Sequence, residues 1–293
     1  MAEISGEQVR KLFEKVIPER FRGGGTVVPV VRLTGTIGFS TPLRPGITIS
    51  SVAKLLERAF SYKRAKAVAL IVNSPGGSPV QSHLVYRRIR QLADEKKLPV
   101  IVFIEDVGAS GGYMIACAGD EIICDVSSIV GSIGVVGATF GFDKAIARFG
   151  IERRVYTAGD RKVTLDPFLP ENPDDVAHLK AIQKDIHNAF ISLVKGRRGD
   201  RLKGPESALF SGEYWAGEEA LRLGLVDGFG EIRSFLRERY GEKVLTPVIA
   251  DRGWFGRRLL GSRVPFGALS GEGLAEDMLS AAEARAIWAR YGL

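Results

Sequence analysis

From Thr26 onward the chain alternates two hydrophobic patterns. "TVVPVVRLTG" (26–35) is rich in β-branched residues and predicts a strand, and "SSVAKLLERAF" (50–60) has the spacing of an amphipathic helix. "AVALIVN" (67–73) is an unbroken apolar run that predicts a strand buried on both faces, followed by a helix over "SPVQSHLVYRRIRQLADE" (78–95). "LPVIVFIE" (98–105) repeats the buried-strand pattern, "SGGYMIACAG" (110–119) predicts a helix, and "DEIICD" (120–125) a short strand. Continuous apolar strands separated by amphipathic helices imply β-α units stacked into a mostly parallel sheet. Further on, "IERRVYTAG" (151–159) reads as a strand, residues 173–196 as a long helix, and "AGEEALRLG" (216–224) and "EIRSFLRERYG" (231–241) as shorter ones.

The two ends differ from this body. Residues 1–22 carry Val9, Leu12, Phe13, Val16 and Ile17 at helical spacing and lead into Gly23–Gly25, which predicts a helical arm on a flexible joint over 1–25. A body then runs over 26–248. The extension over 249–293 mixes "WFGRRLLG" with Gly, Ser and Pro before a helical "AEDMLSAAEARAIWARYG", a composition suited to subunit contact, with an interfacial membrane helix as the lesser reading.

Composition narrows the chemistry. At 293 residues and 45% hydrophobic content the chain can bury a real core. Its formal charge of +7 is spread along the sequence. The densest basic cluster, "KGRRGDRLKG" (195–204), has no interleaved aromatics and reads as a solvated helix end, so no nucleic-acid partner is expected. Cys117 and Cys124 form no C-x-x-C pattern and read as buried reduced thiols. His83, His178 and His187 lack metal-ligand spacing, the last two in a polar helical stretch that predicts surface positions, and neither metal nor cofactor is expected. The charged N-terminus has no signal-peptide core, and no stretch reaches the length of a membrane span. A cytoplasmic protein, at most peripheral to a membrane, is the expectation.

Two glycine-rich loops follow predicted strands, where parallel sheets place their ligands: "NSPGGS" (73–78) and "GASGG" (108–112). Ser110 at a helix start has an ordinary explanation as an N-cap. A cap, however, needs no clearing of glycines around it. A nucleophile does, since a carbonyl must approach its backbone and the next N–H must face the developing oxyanion. "SPGG" reads equally as a tight turn or as a second donor through Gly76 or Gly77. Ser110 would also need a base. His83 lies in what looks like a packed helix face, and a lysine could serve only if burial lowered its pKa from about 10.4 to about 7–8, roughly 3–5 kcal/mol of differential desolvation. Spacing alone does not choose among the lysines.

"NSPGGS", "VGASGGYMIACAGDEIICDVSSIVGSIGVVG" (107–137) and "YTAGDRKVTLDPF" (156–168), in this order, resemble the signal peptide peptidase A (SppA/SohB) family of serine proteases over about Val27–Gly230. "SPGG" alone is shared with the Clp protease subunit and with crotonase-type enzymes. The resemblance implies a Clp/crotonase-like α/β spiral of stacked β-β-α units in a single copy, and a Ser-Lys endopeptidase. On it, Ser110 falls on the nucleophile, Lys162 on the general base, and Ser132 on the serine that holds the lysine amine. Gly111 and Gly77, with Gly76 adjacent, fall on the oxyanion positions. It further implies peptide substrates, such as signal-peptide remnants with small or apolar side chains at the cleaved bond, and a homo-oligomer, a ring or dome such as a tetramer or octamer. Membrane-anchored members carry an N-terminal transmembrane helix and tandem members two homologous halves; neither is read in this sequence. Two rivals stand beside this reading. A crotonase-like acyl-CoA enzyme would use the same glycine amides and leave Ser110 and Lys162 unexplained; a non-catalytic scaffold of membrane quality control would use the arm and tail.

Overall fold

The structure, a computed structural model, describes residues 25–38, 46–250, 281–282 and 285–292. The N-terminal arm expected over 1–22 lies outside the described residues. Strands β1 (Val30–Thr34), β2 (Val68–Ser74), β3 (Val100–Ala109), β4 (Glu121–Cys124) and β7 (Gly228–Phe229) lie side by side in that order and pair parallel throughout. Helices α1 (Ile49–Phe60), α2 (Pro79–Lys96) and α3 (Gly111–Ala116) make the successive crossovers. This is the α/β architecture expected from the alternation of patterns.

Every residue of β2 is buried, because both faces of the sheet are covered. Val68, Leu70 and Val72 point into the larger core with Leu56, Val85 and Ile89 of the crossover helices. Ala69 and Ile71, offset by one residue, point into a second core with Val28, Ile101, Phe103 and Leu236 of α8 (Ile232–Tyr240).

Strand β3 continues beyond its apolar run to Ala109 and changes partner on the way. Its first half pairs with β4, from Ile101 opposite Glu121 to Ile104 opposite Cys124. Its last residues, Val107–Ala109, pair instead with β5 (Ile129–Gly131), which in turn pairs antiparallel with β6 (Tyr214–Ala216). An irregularity between Val72 and Ser74 accommodates the step. Buried Asn73 pins it: its amide donates to Asp106 Oδ2 at 2.6 Å, and its carbonyl oxygen accepts the Val107 N–H at 3.3 Å. The carboxyl ends of β2, β3 and β5 therefore converge on one spot.

After β5 come α4 (Asp143–Arg148), α5 (Pro173–Arg198), α6 (Glu206–Leu209) and α7 (Gly217–Arg222). The strand expected at 151–159 is absent: residues 151–157 are exposed or half-exposed and have no strand partner among the described residues. The pattern "IERRVYT" suits a strand, but a strand requires a neighbour.

The basic cluster at 195–204 also departs from its reading as a solvated helix end. Arg198 is 2% exposed, donates two bonds to Asp227 at 2.8 and 2.9 Å, and reaches the Gly224 carbonyl at 2.9 Å. Arg197 donates to the carbonyls of Cys117 and Gly119, clamping the end of α3. These guanidiniums tie α5 to the sheet. Cys117 and Cys124 are buried free thiols, as expected, and burial pushes both up to about 12.

Burial raises the Asp227 carboxyl, but the Arg198 bonds and charge and the Ile122 N–H it accepts at 2.8 Å outweigh this and hold it below the ordinary value. Its contribution to stability is therefore present above a pH of about 3.9 and is lost as pH falls below that value. Arg198→Met leaves the half-buried carboxylate with only the more exposed Arg201, 3.3 Å away, as an ion partner and is expected to destabilise the chain by about 1–3 kcal/mol in urea unfolding. Pairing it with Asp227→Leu should recover most of the loss.

Candidate active site

The sharp turn from β3 into α3 places Ser110. Its backbone has φ 51° and ψ −122°, a region that costs a non-glycine residue about 1–3 kcal/mol. Although Ser110 occupies the N-cap position, its side chain makes no capping hydrogen bond. The capping explanation for this serine is thereby removed. Its N–H donates to the Gly131 carbonyl at 2.8 Å, continuing the β3–β5 ladder past Ala109 and holding the turn in place. A strand-to-helix turn of this strained kind lifts a hydroxyl clear of its own backbone.

The "SPGG" loop packs directly against this turn. Gly76 has φ +101°, and a Cβ there would lie 2.8 Å from Ser110 Cβ and 2.9 Å from Gly111 N. Gly77 has φ +142°, and a Cβ there would lie 2.1 Å from the Ile37 carbonyl oxygen. Both positions need glycine, for contact and for conformation. The loop is held from behind: Ile37 N–H donates to Gly76 O at 2.9 Å, Ser78 N–H to Ile37 O at 2.8 Å, and the buried Ser74 hydroxyl accepts the Gly76 N–H at 3.2 Å.

Because the peptide is planar and trans, the Gly77 N–H points away from Ile37, opposite the bound Gly76 carbonyl. Among the described residues it has no backbone acceptor, and neither does the Gly111 N–H at the first turn of α3. Gly77, Ser110 and Gly111 line one narrow cavity of about 20 Å³. Met114, Val135, Ile186 and Phe190 make its apolar walls. A hydroxyl and two N–H donors without a backbone acceptor among the described residues thus line one small, mostly apolar space, the arrangement that addition to a carbonyl requires.

Ser132 stands next to Ser110 in register, one residue past Gly131, and also has a positive φ of 52°. Its N–H donates to the Glu213 carbonyl at 2.6 Å. Its hydroxyl is met by the Tyr291 hydroxyl at 3.2 Å. Burial raises the Tyr291 phenol, opposed by the Ser132 bond.

Lys162 is not brought to this cluster. It lies exposed in a turn closed by its own N–H to the Gly159 carbonyl at 3.2 Å, and among the described residues its amine bonds neither Ser110 nor Ser132. His83 is exposed on α2, stacked on Tyr86, which removes it as a base. His178 is exposed as expected. His187 is half-buried rather than on the surface: its Nε2 lies 3.0 Å from the Ile133 carbonyl, which can only accept, so this nitrogen donates. It ties α5 to the chain just after Ser132. Tyr291, Ser74 and Asn73 went unnoticed in the sequence; only the "S" and "N" of "NSPGGS" gave a local signal for the latter two. No group of three or more His, Cys, Asp or Glu side chains among the described residues is placed to hold a metal.

Comparison with known proteins decides the family. The model for peptidase family S49 matches residues 92–243, about half of the chain and the part that holds Ser110, Ser132 and Lys162. The chain belongs to peptidase family S49. Its class is thus that of the SppA and SohB serine peptidases. The chain is 54% identical over 288 residues to a protein of Brucella abortus named Na(+)/H(+) antiporter NhaA, a match covering 96% of this chain and 39% of that longer protein. The antiporter name belongs to the whole of that longer chain, and the peptidase match lies inside the shared stretch. With the chloroplastic serine protease SPPA of Arabidopsis thaliana the chain is 30% identical over 219 residues, 71% of this chain and 31% of that one. A solved structure of the 1510-N membrane-bound stomatin-specific protease, bound to a substrate peptide, aligns with a TM-score of 0.47 and 17% identity over 81% of this chain and 97% of that one. The chain spans less than half the length of the two curated relatives.

Gly77→Ala should push the loop off Ile37 and turn the free N–H. If the Gly77 N–H serves as an oxyanion donor, peptide hydrolysis is expected to fall about 100-fold. Steady-state kinetics against a fluorogenic peptide check this, with Gly35→Ala as a control where a Cβ meets nothing within 4 Å but φ is also positive.

Proposed function

We propose that the chain is a serine endopeptidase acting through a Ser110–Lys162 dyad. The observation that carries this reading is Ser110 itself: a hydroxyl on a strained turn, excused from capping, beside two N–H groups with no backbone acceptor among the described residues. In the cycle, neutral Lys162 takes the Ser110 proton while Oγ attacks the peptide carbonyl, and the Gly77 and Gly111 N–H groups hold the oxyanion. Ser132 holds the lysine amine in line. The protonated lysine then gives its proton to the leaving amine, and water activated by the same lysine clears the acyl-enzyme. The family resemblance suggests extended peptides with small or apolar side chains at the cleaved bond, as in signal-peptide remnants, and the Met114, Val135, Ile186 and Phe190 walls beside Ser110 suit such side chains.

Lys162 must then travel to Ser110, and the segment that carries it has the surface for a partner. Phe149 is 81% exposed and Tyr156 90%, with Phe140, Ile151 and Val136 also exposed. Single-copy soluble proteins rarely leave so many large apolar side chains together in water. We assign this surface to a neighbouring copy of the chain, whose docking gives residues 151–157 a partner and brings Lys162 into a site. A homo-oligomer is therefore the active form.

A fluorophosphonate probe is expected to label the wild-type chain and not Ser110→Ala, and Lys162→Ala should lower peptide hydrolysis by roughly 10³-fold or more. Hydrolysis of an acyl-CoA with no labelling would favour the crotonase-like reading instead. Phe149→Asp with Tyr156→Asp should shift the chain to a monomer in analytical ultracentrifugation and abolish turnover without lowering the unfolding midpoint. An active monomer would remove the oligomer from the mechanism.

A further inference from the structure

The end of the chain is seated on the site. Residues 285–289 are helical, and the turn that follows delivers Tyr291 between β5 and the "SPGG" loop. Its hydroxyl reaches Ser132 Oγ at 3.2 Å and the Pro75 carbonyl oxygen at 3.4 Å, the residue just before Gly76. The contact is braced from the side: the Tyr214 hydroxyl donates to the Arg290 carbonyl at 3.1 Å, and the Tyr214 and Tyr291 rings meet edge-on with centroids 4.9 Å apart. Tyr214 belongs to β6 and stands opposite Gly131 of β5, so the tail is held by the strand paired with the one that leads into Ser132.

We propose that this C-terminal turn is a tethered plug, in which the Tyr291 phenol occupies the Ser132 hydroxyl and so keeps the general base out of the site. The inference rests on the Ser110–Lys162 reading. Two observations meet in it: the amine assigned as base lies outside in solvent, and the hydroxyl assigned to hold that amine is already engaged by another group. While the phenol is in place, one hydrogen-bonding position of the Ser132 hydroxyl is committed to it rather than to the lysine amine. The phenol also bridges Ser132 and the Pro75 carbonyl of the adjoining loop. Withdrawal of the tail is then a precondition for the dyad, and the fraction of molecules with the tail withdrawn scales the observed rate.

The contacts are few and long, so the plug is a weak one. Tyr291→Phe keeps the ring against Tyr214 and removes only the hydroxyl. It is expected to raise kcat/KM for peptide hydrolysis and the rate of fluorophosphonate labelling of Ser110 about 3-fold, and a chain ending at residue 284 about 10-fold, the range that releasing one or two net hydrogen bonds supports. Unchanged or lowered rates in both variants would overturn the plug. Hydrogen exchange of the 293-residue chain gives a readout that does not need turnover: amides in 286–292 should be protected in the wild type and exchange faster in Tyr291→Phe and in Ser132→Ala. A labelled Ser110 with an unprotected tail sinks the plug alone. A protected tail on a chain that neither labels nor hydrolyses peptides sinks the dyad reading and the gate with it.

Discussion

One short stretch of parallel ladder organises the molecule's chemistry. Where β3 leaves β4 and takes up β5, its last pair sets Ala109 opposite Gly131, and the next bond, from Ser110 N–H to Gly131 O at 2.8 Å, carries the ladder one residue past the strand. At this same residue the chain turns from β3 into α3, in a backbone conformation that serine otherwise avoids. The unfavourable torsion is over-determined by what surrounds it: the fully buried α3 on one side, the "SPGG" loop in contact on the other, and the Asn73–Asp106 staple beneath. Because β5 supplies Ser132 directly after Gly131, the same ladder sets two hydroxyls side by side.

The proposed site consists of two halves of different character. One half, formed by Ser110, Ser132 and the N–H groups of Gly77 and Gly111, stands on buried strands and is preorganised, as an oxyanion site must be to act without reorganising. The other half, Lys162, sits on an exposed segment rich in aromatic side chains. The rigid half is stabilised from a distance by Arg197 and Arg198, which fasten α5, and with it the Ile186 and Phe190 walls of the pocket, to the sheet.

The strands and helices of the body were legible because burial on both sheet faces writes itself as unbroken apolar runs, and helix faces as a period of about 3.6. Ser110 was legible for a different reason: close backbone approach can be met only by glycine, so glycines around a lone hydroxyl advertise a site. Lys162 and Ser132 have no such mark. Their assignment came from resemblance to a family, and their roles remain a proposal that the single chain leaves half-assembled. The misread segments share one cause. Residues 151–159 have a strand's composition but no neighbour, and the arginines of 195–204 look solvated until the carbonyls of Cys117, Gly119 and Gly224 and the Asp227 carboxylate are placed around them.

The sequence by itself determined the layered α/β body, the inert buried thiols and the glycine-cleared serine, since each follows from local pattern and from the solvent preference of individual side chains. Tertiary structure alone decided that β3 divides its partners, that Ser110 is strained and does not cap, that Arg198 is buried, and that Tyr291 lies on Ser132. Those facts depend on which groups meet across long separations, 159 residues in the case of Tyr291 and Ser132. A hydrogen bond has no sequence signature when its two ends share neither a turn nor a strand.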